Sequence, residues 1–371
     1  MYTYLRWWVV GLLCVGWLVP GGTRAQSADT WRTDFSRHTV PLDEIVSGGP
    51  PKDGIPAIDQ PVFVSTQEAD QWLGDREPVI VVAMGADVRA YPLQILMWHE
   101  IVNDRVGGVP VTITYCPLCN TALVFDRRFN EMVLDFGTTG RLRHSDLVMY
   151  DRQTESWWQQ ATGEGIVGEL AGKQLVPVSA PTVSWSTFKS SHPDGRVLSR
   201  ETGHDRPYGR NPYTGYDDPD GTPWSRFFRK PADDRMPAME RIVAMSSSQT
   251  SLAYPFTTLR RRRVMNDQMD GRPIVVFWAP GTASAVDAAN IAGGRDVGSS
   301  GVFGRRAGGR TLTFEAAGDG LFRDRQTGST WTIVGSAIAG PLTGTALEPI
   351  PHGNHFWFAW AAFKPDTKIR R

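Results

Sequence analysis

Short apolar runs separated by turn residues recur along most of the chain. Residues 78–83 are apolar throughout and are followed by Gly85-Ala86-Asp87, which predicts a buried strand and a turn. Residues 88–91 alternate in polarity and predict a second strand, and Pro92 then suits the entry into a helix. That helix is predicted to end near Asn103, because apolar residues continue at helical spacing: Leu93, Leu96, Met97 and Ile101.

The clearest chemical motif follows a predicted strand. Residues 111–115 are β-branched or aromatic and predict a strand that leads into Cys116-Pro117-Leu118-Cys119. Residues 121–125 return to β character, so the cysteine pair is predicted at the tip of a strand–turn–strand unit, with a strand followed by a helix as the alternative. Further strands are predicted at 132–136, 147–150, 165–167 and 175–178.

The pattern of the first half recurs, degraded, in the second. Residues 77–198 correspond to 240–367, and what both segments keep is expected to be scaffold. The matches include Ala-Tyr-Pro at 90–92 and 253–255, Asn-Asp at 103–104 and 266–267, Asp-Arg-Gln-Thr at 151–154 and 324–327, and Trp158 with Trp331.

These observations predict a β-rich α+β fold of two tandem degenerate repeats of one unit, related by a pseudo-twofold axis. The first repeat is assigned to 61–198 and the second to 236–371, with an inter-repeat connection at 199–235. A polar, Pro- and Gly-rich lead-in occupies 26–60, and residues 1–25 are interpreted as a signal peptide. The signal is read from Arg6, the apolar run 7–19 and Thr23-Arg24-Ala25.

The balance of charged residues and the predicted export limit the kinds of function that this chain can have. The chain has 371 residues, with 39 basic and 39 acidic side chains, so no global field favours nucleic acid. The leading apolar run is shorter than the ~20 residues that span a bilayer, so we expect a periplasmic or secreted protein with no stable membrane span after signal cleavage. Only Cys116 and Cys119 then remain of three cysteines, too few for a disulfide-stapled scaffold.

Two cysteines two residues apart can share a metal ion, so a soft metal is the first hypothesis, copper first and zinc or iron next. His99 is the most economical third ligand, since it precedes the cysteine strand, and His144 is a candidate fourth ligand. Glu100 is a candidate base or supporting partner. Tyr150 and Gln159 are predicted to line the site, because the second half has Arg323 and Thr332 in their places.

Two other uses of the cysteines stay open. A thiol–disulfide oxidoreductase is the second hypothesis, and a non-catalytic interaction protein with a structural disulfide is the third. Joint loss of the cysteines and His99 in the second half favours a shared chemical role, since they become Ala279, Thr282 and Arg262. The partner is expected to be a small molecule or a metal donor or acceptor protein.

The chain resembles the family catalogued as domain of unknown function 3179, found in secreted bacterial and archaeal proteins. The resemblance covers nearly all of the mature chain and rests on these motifs: 90–92, 98–104 (Trp-His-Glu-Ile-Val-Asn-Asp), 114–119 (Thr-Tyr-Cys-Pro-Leu-Cys), 149–152, 158–159 and 356–360. Such sequences usually have glycine after the second cysteine, where this chain has Asn120. The family name implies no activity, so the resemblance supports the site and leaves the reaction open.

Three further features are interpreted as structural. Residues 151–154 recur in the second half and are expected to form a turn or internal salt link. The run Arg260–Arg263 is predicted to be a solvated helix face covering the first half, in preference to an anion site. Residues 217–221 offer oxygen ligands but lack the spacing of a defined calcium loop, so they are interpreted as a turn.

Overall fold

A computed structural model describes residues 31–318 and 320–371 of the chain. The predicted signal peptide and the start of the polar lead-in lie outside the described residues. Thr33–Arg371 belong to one structural unit, which is β-rich with a few short helices. None of the helices within the described ranges is long and apolar enough to cross a bilayer.

The strands up to residue 198 are numbered in chain order. They are β1 Ile45–Ser47, β2 Phe63–Ser65, β3 Pro78–Met84, β4 Asp87–Pro92, β5 Ile101–Val106, β6 Val109–Cys116, β7 Thr121–Asp126, β8 Arg128–Phe129, β9 Met132–Val133, β10 Phe136–Arg143, β11 Asp146–Asp151, β12 Trp157–Gln159, β13 Glu164–Val167, β14 Val176–Val178, β15 Thr182–Ser184 and β16 Arg196–Leu198. The helices of this segment are α1 Thr66–Ala69, α2 Leu93–His99 and α3 Trp185–Ser191.

The later strands run from residue 241. They are β17 Arg241–Ser246, β18 Ser251–Pro255, β19 Val264–Met269, β20 Arg272–Ala279, β21 Ser299–Gly304, β22 Arg306–Ala307, β23 Arg310–Thr311, β24 Phe314–Gly318, β25 Leu321–Asp324, β26 Thr330–Trp331, β27 Ala337–Ala339, β28 Gly353–Phe356 and β29 Lys368–Ile369. The helices here are α4 Phe256–Arg262 and α5 Trp357–Phe363.

Three sheets of each half have related strand orders. In the first half they are β15-β3-β4-β16-β2, β14-β7-β6-β5 and β1-β10-β11-β12-β13. In the second half they are β28-β17-β18-β29, β19-β20-β21 and β24-β25-β26-β27. Apart from an added strand in each sheet of the first half, the orders correspond strand for strand.

The helix after Pro92 is shorter than predicted. It ends at His99, and residues predicted to be helical up to Asn103 belong to strand β5 instead. Glu100 has φ 58°, which breaks the helical hydrogen-bond pattern, and the β-branched Ile101 and Val102 that follow favour a strand. An extra antiparallel strand therefore separates His99 from the strand that carries the cysteines.

Two local arrangements recur in both halves. Asp151 accepts hydrogen bonds from the Thr154 backbone (2.6 Å) and the Trp158 indole (2.9 Å), and Asp324 receives the same bonds from Thr327 and Trp331 at the same distances. Asn103 and Asn266 likewise each bridge to the start of a hairpin strand. The turn prediction for 151–154 is confirmed, and the buried indoles explain why the motif is kept.

The stretch between β16 and β17 has no regular secondary structure, yet much of it is buried. Tyr216, Phe227 and Phe228 pack into the same apolar core as the cysteine turn. Asp217, interpreted above as part of a turn, is fully buried and pairs with Arg241 (2.6 Å) and Arg295 (2.8 Å). Its carboxylate is thus satisfied by two guanidinium groups.

Candidate functional site

The cysteines lie on the turn between β6 and β7, as predicted. Pro117–Cys119 form one turn of 3-10 helix, and Asn120 follows in the left-handed conformation with φ 50°. Asparagine tolerates this conformation better than most residues, so the turn forms without the usual glycine. Cys116 pairs with Thr121 across the hairpin. The thiols of Cys116 and Cys119 are both buried, and neither forms a disulfide.

A second hairpin, β10–β11, brings a carboxylate to these thiols. Its two-residue turn is His144-Ser145, with φ 53° and 68°. Positive φ at both positions is typical of a type I′ hairpin turn, which favours Asn-Gly and is costly for His-Ser. The strained turn sets Asp146 at the first position of β11, and the Ser145 amide donates to the Phe227 carbonyl (3.0 Å).

Cys116, Cys119 and Asp146 form the one metal-competent group found in the described part of the chain. Their sulfur and carboxylate atoms lie within 4.8 Å of one another, and all three residues are buried. Oδ2 of Asp146 accepts hydrogen bonds from the Gln159 side chain (2.6 Å) and the Ala161 amide (2.9 Å). Oδ1 accepts no hydrogen bond from an N–H or O–H group of the described residues. The Cys116 and Cys119 thiols are the donors that face the carboxylate, and they lower the pKa of Asp146.

Burial controls protonation in this group. It raises the pKa of Asp146 to about 7, against bonds from Ala161 and Gln159 that lower it. It also raises the pKa of the Cys116 and Cys119 thiols above their ordinary value. Without a bound cation, both thiols are therefore protonated at neutral pH.

Glu100 adjoins the group from the end of α2. Its side chain is buried, makes no hydrogen bond with any residue described by the structure, and feels the charge of Asp146. Burial raises the pKa of Glu100 to about 8, with the nearby Asp146 carboxylate adding to the effect. At neutral pH this carboxyl is mostly protonated and can donate a proton.

A cavity of about 130 Å³ opens beside Glu100. Leu118 of the cysteine turn and Leu147 of the hairpin line one side of it, and Tyr213, Trp224 and Phe227 of the long connection line another. Arg141 and Arg226 also line the cavity, so it can hold a small molecule that has an apolar body and a polar or anionic group, with Glu100 at its wall.

The structure does not place His99 with the thiols. Its Nδ1 lies 2.7 Å from the Pro56 carbonyl oxygen and its Nε2 lies 2.6 Å from the Tyr208 hydroxyl, so both ring nitrogens are engaged elsewhere. Because a carbonyl can only accept, Nδ1 donates. Burial lowers the pKa of His99 to about 4, so at neutral pH Nε2 carries no proton and accepts from the Tyr208 hydroxyl. The imidazole is therefore neutral and anchors the long connection, and Asp146 occupies the place that the sequence analysis assigned to His99.

Of the three other predicted residues described next, one contacts the cysteine–aspartate group and two do not. Gln159 belongs to the site, because its amide holds Asp146. Tyr150 does not contact the group: its hydroxyl donates to Asp53 (2.5 Å). His144 shapes the hairpin turn, and its Nε2 lies 3.3 Å from Glu44.

Sequence reasoning missed Asp146, although a signal for it exists. Fifteen residues separate Phe136 from its partner Asp151 in the first half, whereas ten separate Phe314 from its partner Asp324. The longer hairpin extends only the first half, and an acid lies at its tip. An acid in an extension unique to the cysteine-bearing half could have been chosen as a ligand candidate.

A family model described as protein of unknown function (DUF3179) matches residues 52–367. The matched region includes the cysteine turn, the long hairpin and most of the second half. No curated protein and no solved structure matches the chain.

Proposed function

We propose that this chain, which belongs to the family described as proteins of unknown function (DUF3179), binds a zinc ion through Cys116, Cys119 and Asp146. The observation that carries the proposal is the convergence of two buried thiols with a buried carboxylate, whose sulfur and oxygen atoms lie within 4.8 Å of one another. Without a cation only weak thiol donors face Oδ1, and a cation that replaces their protons would bind all three groups.

The donor set favours zinc over copper. Zinc accepts thiolate and carboxylate ligands together, and catalytic zinc sites keep three protein ligands and one open position. Copper(I) prefers softer partners such as thiolate and thioether, and the third group at this site is a hard carboxylate. Copper and iron remain alternatives that metal analysis distinguishes.

Metal binding would reverse the protonation of the site. Zinc takes thiolates and a carboxylate, so binding releases the protons that burial otherwise holds on these groups. Apparent affinity should therefore rise with pH across the neutral range. The raised thiol pKa values count against thiol–disulfide exchange, because the thiolate is the attacking species.

Glu100 supplies the chemistry beside the metal. A carboxyl whose pKa lies near the working pH is suited to general acid and base catalysis. In this proposal the cavity binds a small substrate and Glu100 donates or accepts a proton at its wall. A zinc ion held by Cys116, Cys119 and Asp146 would supply Lewis-acid chemistry. Metal exchange with a donor or acceptor protein is the alternative use of the same site.

Metal analysis of the protein purified from its own compartment tests this proposal. We expect about one equivalent of zinc, lost in Cys116→Ser and in Asp146→Asn. Two matched controls should keep the metal: Ala279→Ser, at the corresponding position of the second half, and His99→Asn. Metal-free protein with reversibly titrating thiols would support the oxidoreductase instead, and an irreducible disulfide would support the interaction protein.

We also propose that the halves are tandem repeats, assigned to 61–198 and 236–371 and joined by 199–235. The matched strand orders and the repeated Asp151 and Asp324 bonding support this. A common scaffold predicts that equivalent buried residues contribute equally to stability in both halves.

Export to the periplasm or the medium is a further part of the proposal. It rests on the signal-like residues 1–25 alone. Cell fractionation with N-terminal sequencing of the mature protein tests it: a mature chain that begins after Ala25 supports export, and a cytoplasmic chain that retains residues 1–25 contradicts it.

A further inference from the structure

A second cavity lies in the other half, at the end of strand β20. It has a volume of about 220 Å³ and is lined by Arg263, Trp278, Pro280, Leu321 and Phe322 together with three small residues. A single water needs only roughly 10–15 Å³ of such space. The cavity is therefore large enough for a small organic molecule.

Arg263 is a charged donor without a charged partner at this cavity. It follows α4 with φ 64°, and its guanidinium lies over the Trp278 ring at 4.6 Å. Its Nη1 is buried and has no hydrogen-bond partner, and no carboxylate among the described residues forms an ion pair with it. Stacking on the indole leaves the charge uncompensated.

The indole of Trp278 adds a second unpaired donor. Its Nε1 is buried and finds no acceptor in the described parts of the chain. Leaving a buried donor unpaired is unfavourable, and more so when the donor is charged. Two such donors on side chains that line one cavity indicate a missing acceptor.

Asp296, near the end of α4, does not supply that acceptor. Both of its carboxylate oxygens accept backbone N–H groups, those of Gly281, Thr282 and Gly298. Arg260, the first residue of the arginine run, donates to the Asp296 carbonyl (3.1 Å). Among the described residues that line the cavity, Arg263 is the one charged group.

We propose that this cavity binds a small organic carboxylate, held by Arg263 and Trp278. A guanidinium recognises a carboxylate with two parallel hydrogen bonds, and the indole N–H can donate as well. Arg263 is the one cationic side chain among the lining residues, and the remaining walls are apolar. This combination suits a monoanion with an apolar body better than a phosphate dianion.

The site is separate from the thiol group and does not depend on it. Arg263 corresponds to Glu100 in the other half, since the Trp278 amide donates to the Arg263 carbonyl (2.9 Å) and the Tyr115 amide donates to the Glu100 carbonyl (2.8 Å). The same backbone position thus presents an acid to one cavity and a guanidinium to the other.

Calorimetric titration of the full chain with benzoate and with butyrate tests the proposal. We expect saturable binding of at least one of these acids with one site per chain, and binding of the matched neutral amide at least 10-fold weaker. Arg263→Gln should weaken carboxylate binding at least 10-fold. Arg261→Gln, an exposed neighbour on the same helix, should leave it unchanged, as should Cys116→Ser.

Arg263→Lys provides a second test, because it keeps the charge and loses the planar fork. Arg263→Lys should bind the carboxylate several-fold more weakly than the natural protein does. If circular dichroism shows that Arg263→Gln is unfolded, Arg263→Lys is compared with the natural protein in its place. The proposal is overturned if neither acid binds, if acid and amide bind alike, or if folded Arg263 variants bind as the natural protein does.

Discussion

The end of β6 and the end of β20 lie at the same place in two related sheets and carry opposite chemistry. In the first half this place has two thiols and the acid Glu100, and in the second it has Ala279 and the base Arg263. Glu100 and Arg263 share an unusual backbone conformation, with φ 58° and 64°. The comparison teaches that the same backbone position can face a cavity in both halves, and that the residue placed there sets the chemical group presented to that cavity.

The largest effect should be the same in both halves. Trp158 and Trp331 are fully buried, and each donates its indole N–H to an aspartate. Replacing either with alanine should lower the free energy of unfolding by about 3–5 kcal/mol, since a large cavity and an unpaired carboxylate result. Urea unfolding measures both variants. If only one of the two variants lost stability, the two halves would not share a common scaffold.

A smaller effect, on zinc affinity, is expected from a substitution in the first half but not from its counterpart in the second. Gln159 orients Asp146, so Gln159→Leu should weaken zinc binding 10- to 100-fold, the range typical for partners that hold a metal ligand. Competition with a chromophoric chelator measures the affinity. The corresponding Thr332→Val should leave it unchanged. Equal affinities for the natural protein and Gln159→Leu would mean that Asp146 is not a ligand.

The pH dependence of metal-free stability should also differ between the halves. Burial raises the pKa of Glu100 to about 8 and that of Asp146 to about 7, above the ~4 of an unfolded chain. These two carboxyls bind more protons in the native state than in the unfolded state, so they contribute a fall in stability as pH rises from about 4 to 8. Burial lowers the pKa of His99 and His144 to about 4 and that of His355 to about 3, so these histidines contribute a rise below about pH 6.5, and the fall is expected from about pH 6.5 to 8. Glu100→Gln should flatten this fall, by about 1.4 kcal/mol for each pKa unit removed.

Arg263→Gln is the matched control for that measurement. It should leave the slope unchanged, because no buried acid lies at its position. The free energy of unfolding measured against pH in the presence of a chelator compares the two variants. A natural protein whose stability does not fall between about pH 6.5 and 8, or an unchanged slope in Glu100→Gln, would contradict the protonated site.

The smallest effect concerns the turn itself. Asn120 already has φ 50°, so Asn120→Gly should change the free energy of unfolding by less than about 1 kcal/mol and keep the metal. Asn120→Val should cost more, because a β-branched residue is strained at positive φ. Thermal unfolding compares the two variants. Similar stability of both would mean that the turn does not require this conformation.

Much of this arrangement could be predicted from the sequence. The strand–turn–strand around Cys116 follows from β-branched residues on both sides of a short turn motif, and the buried aromatic tail at 356–360 follows from its composition. Retention of Asp151 and Trp158 as Asp324 and Trp331 marked a structural motif, because both halves need it.

The ligand set could not be derived in the same way. His99 was favoured because it lies close in sequence to the cysteine strand, but Glu100 ends the helix and strand β5 intervenes, so its ring faces Tyr208. Asp146 reaches the thiols through a long hairpin and a strained His144-Ser145 turn. Such a contact depends on where two hairpin tips meet, which local periodicity does not encode.

X-ray absorption at the zinc edge of the natively purified protein tests the central claim most directly. The account predicts two sulfur neighbours at about 2.3 Å and at least one oxygen at about 2.0–2.2 Å. Asp146→Asn should lose the metal, or lose oxygen from the coordination shell while keeping both sulfurs. An imidazole signature in that shell, or a protein that holds no metal under these conditions, would contradict the account.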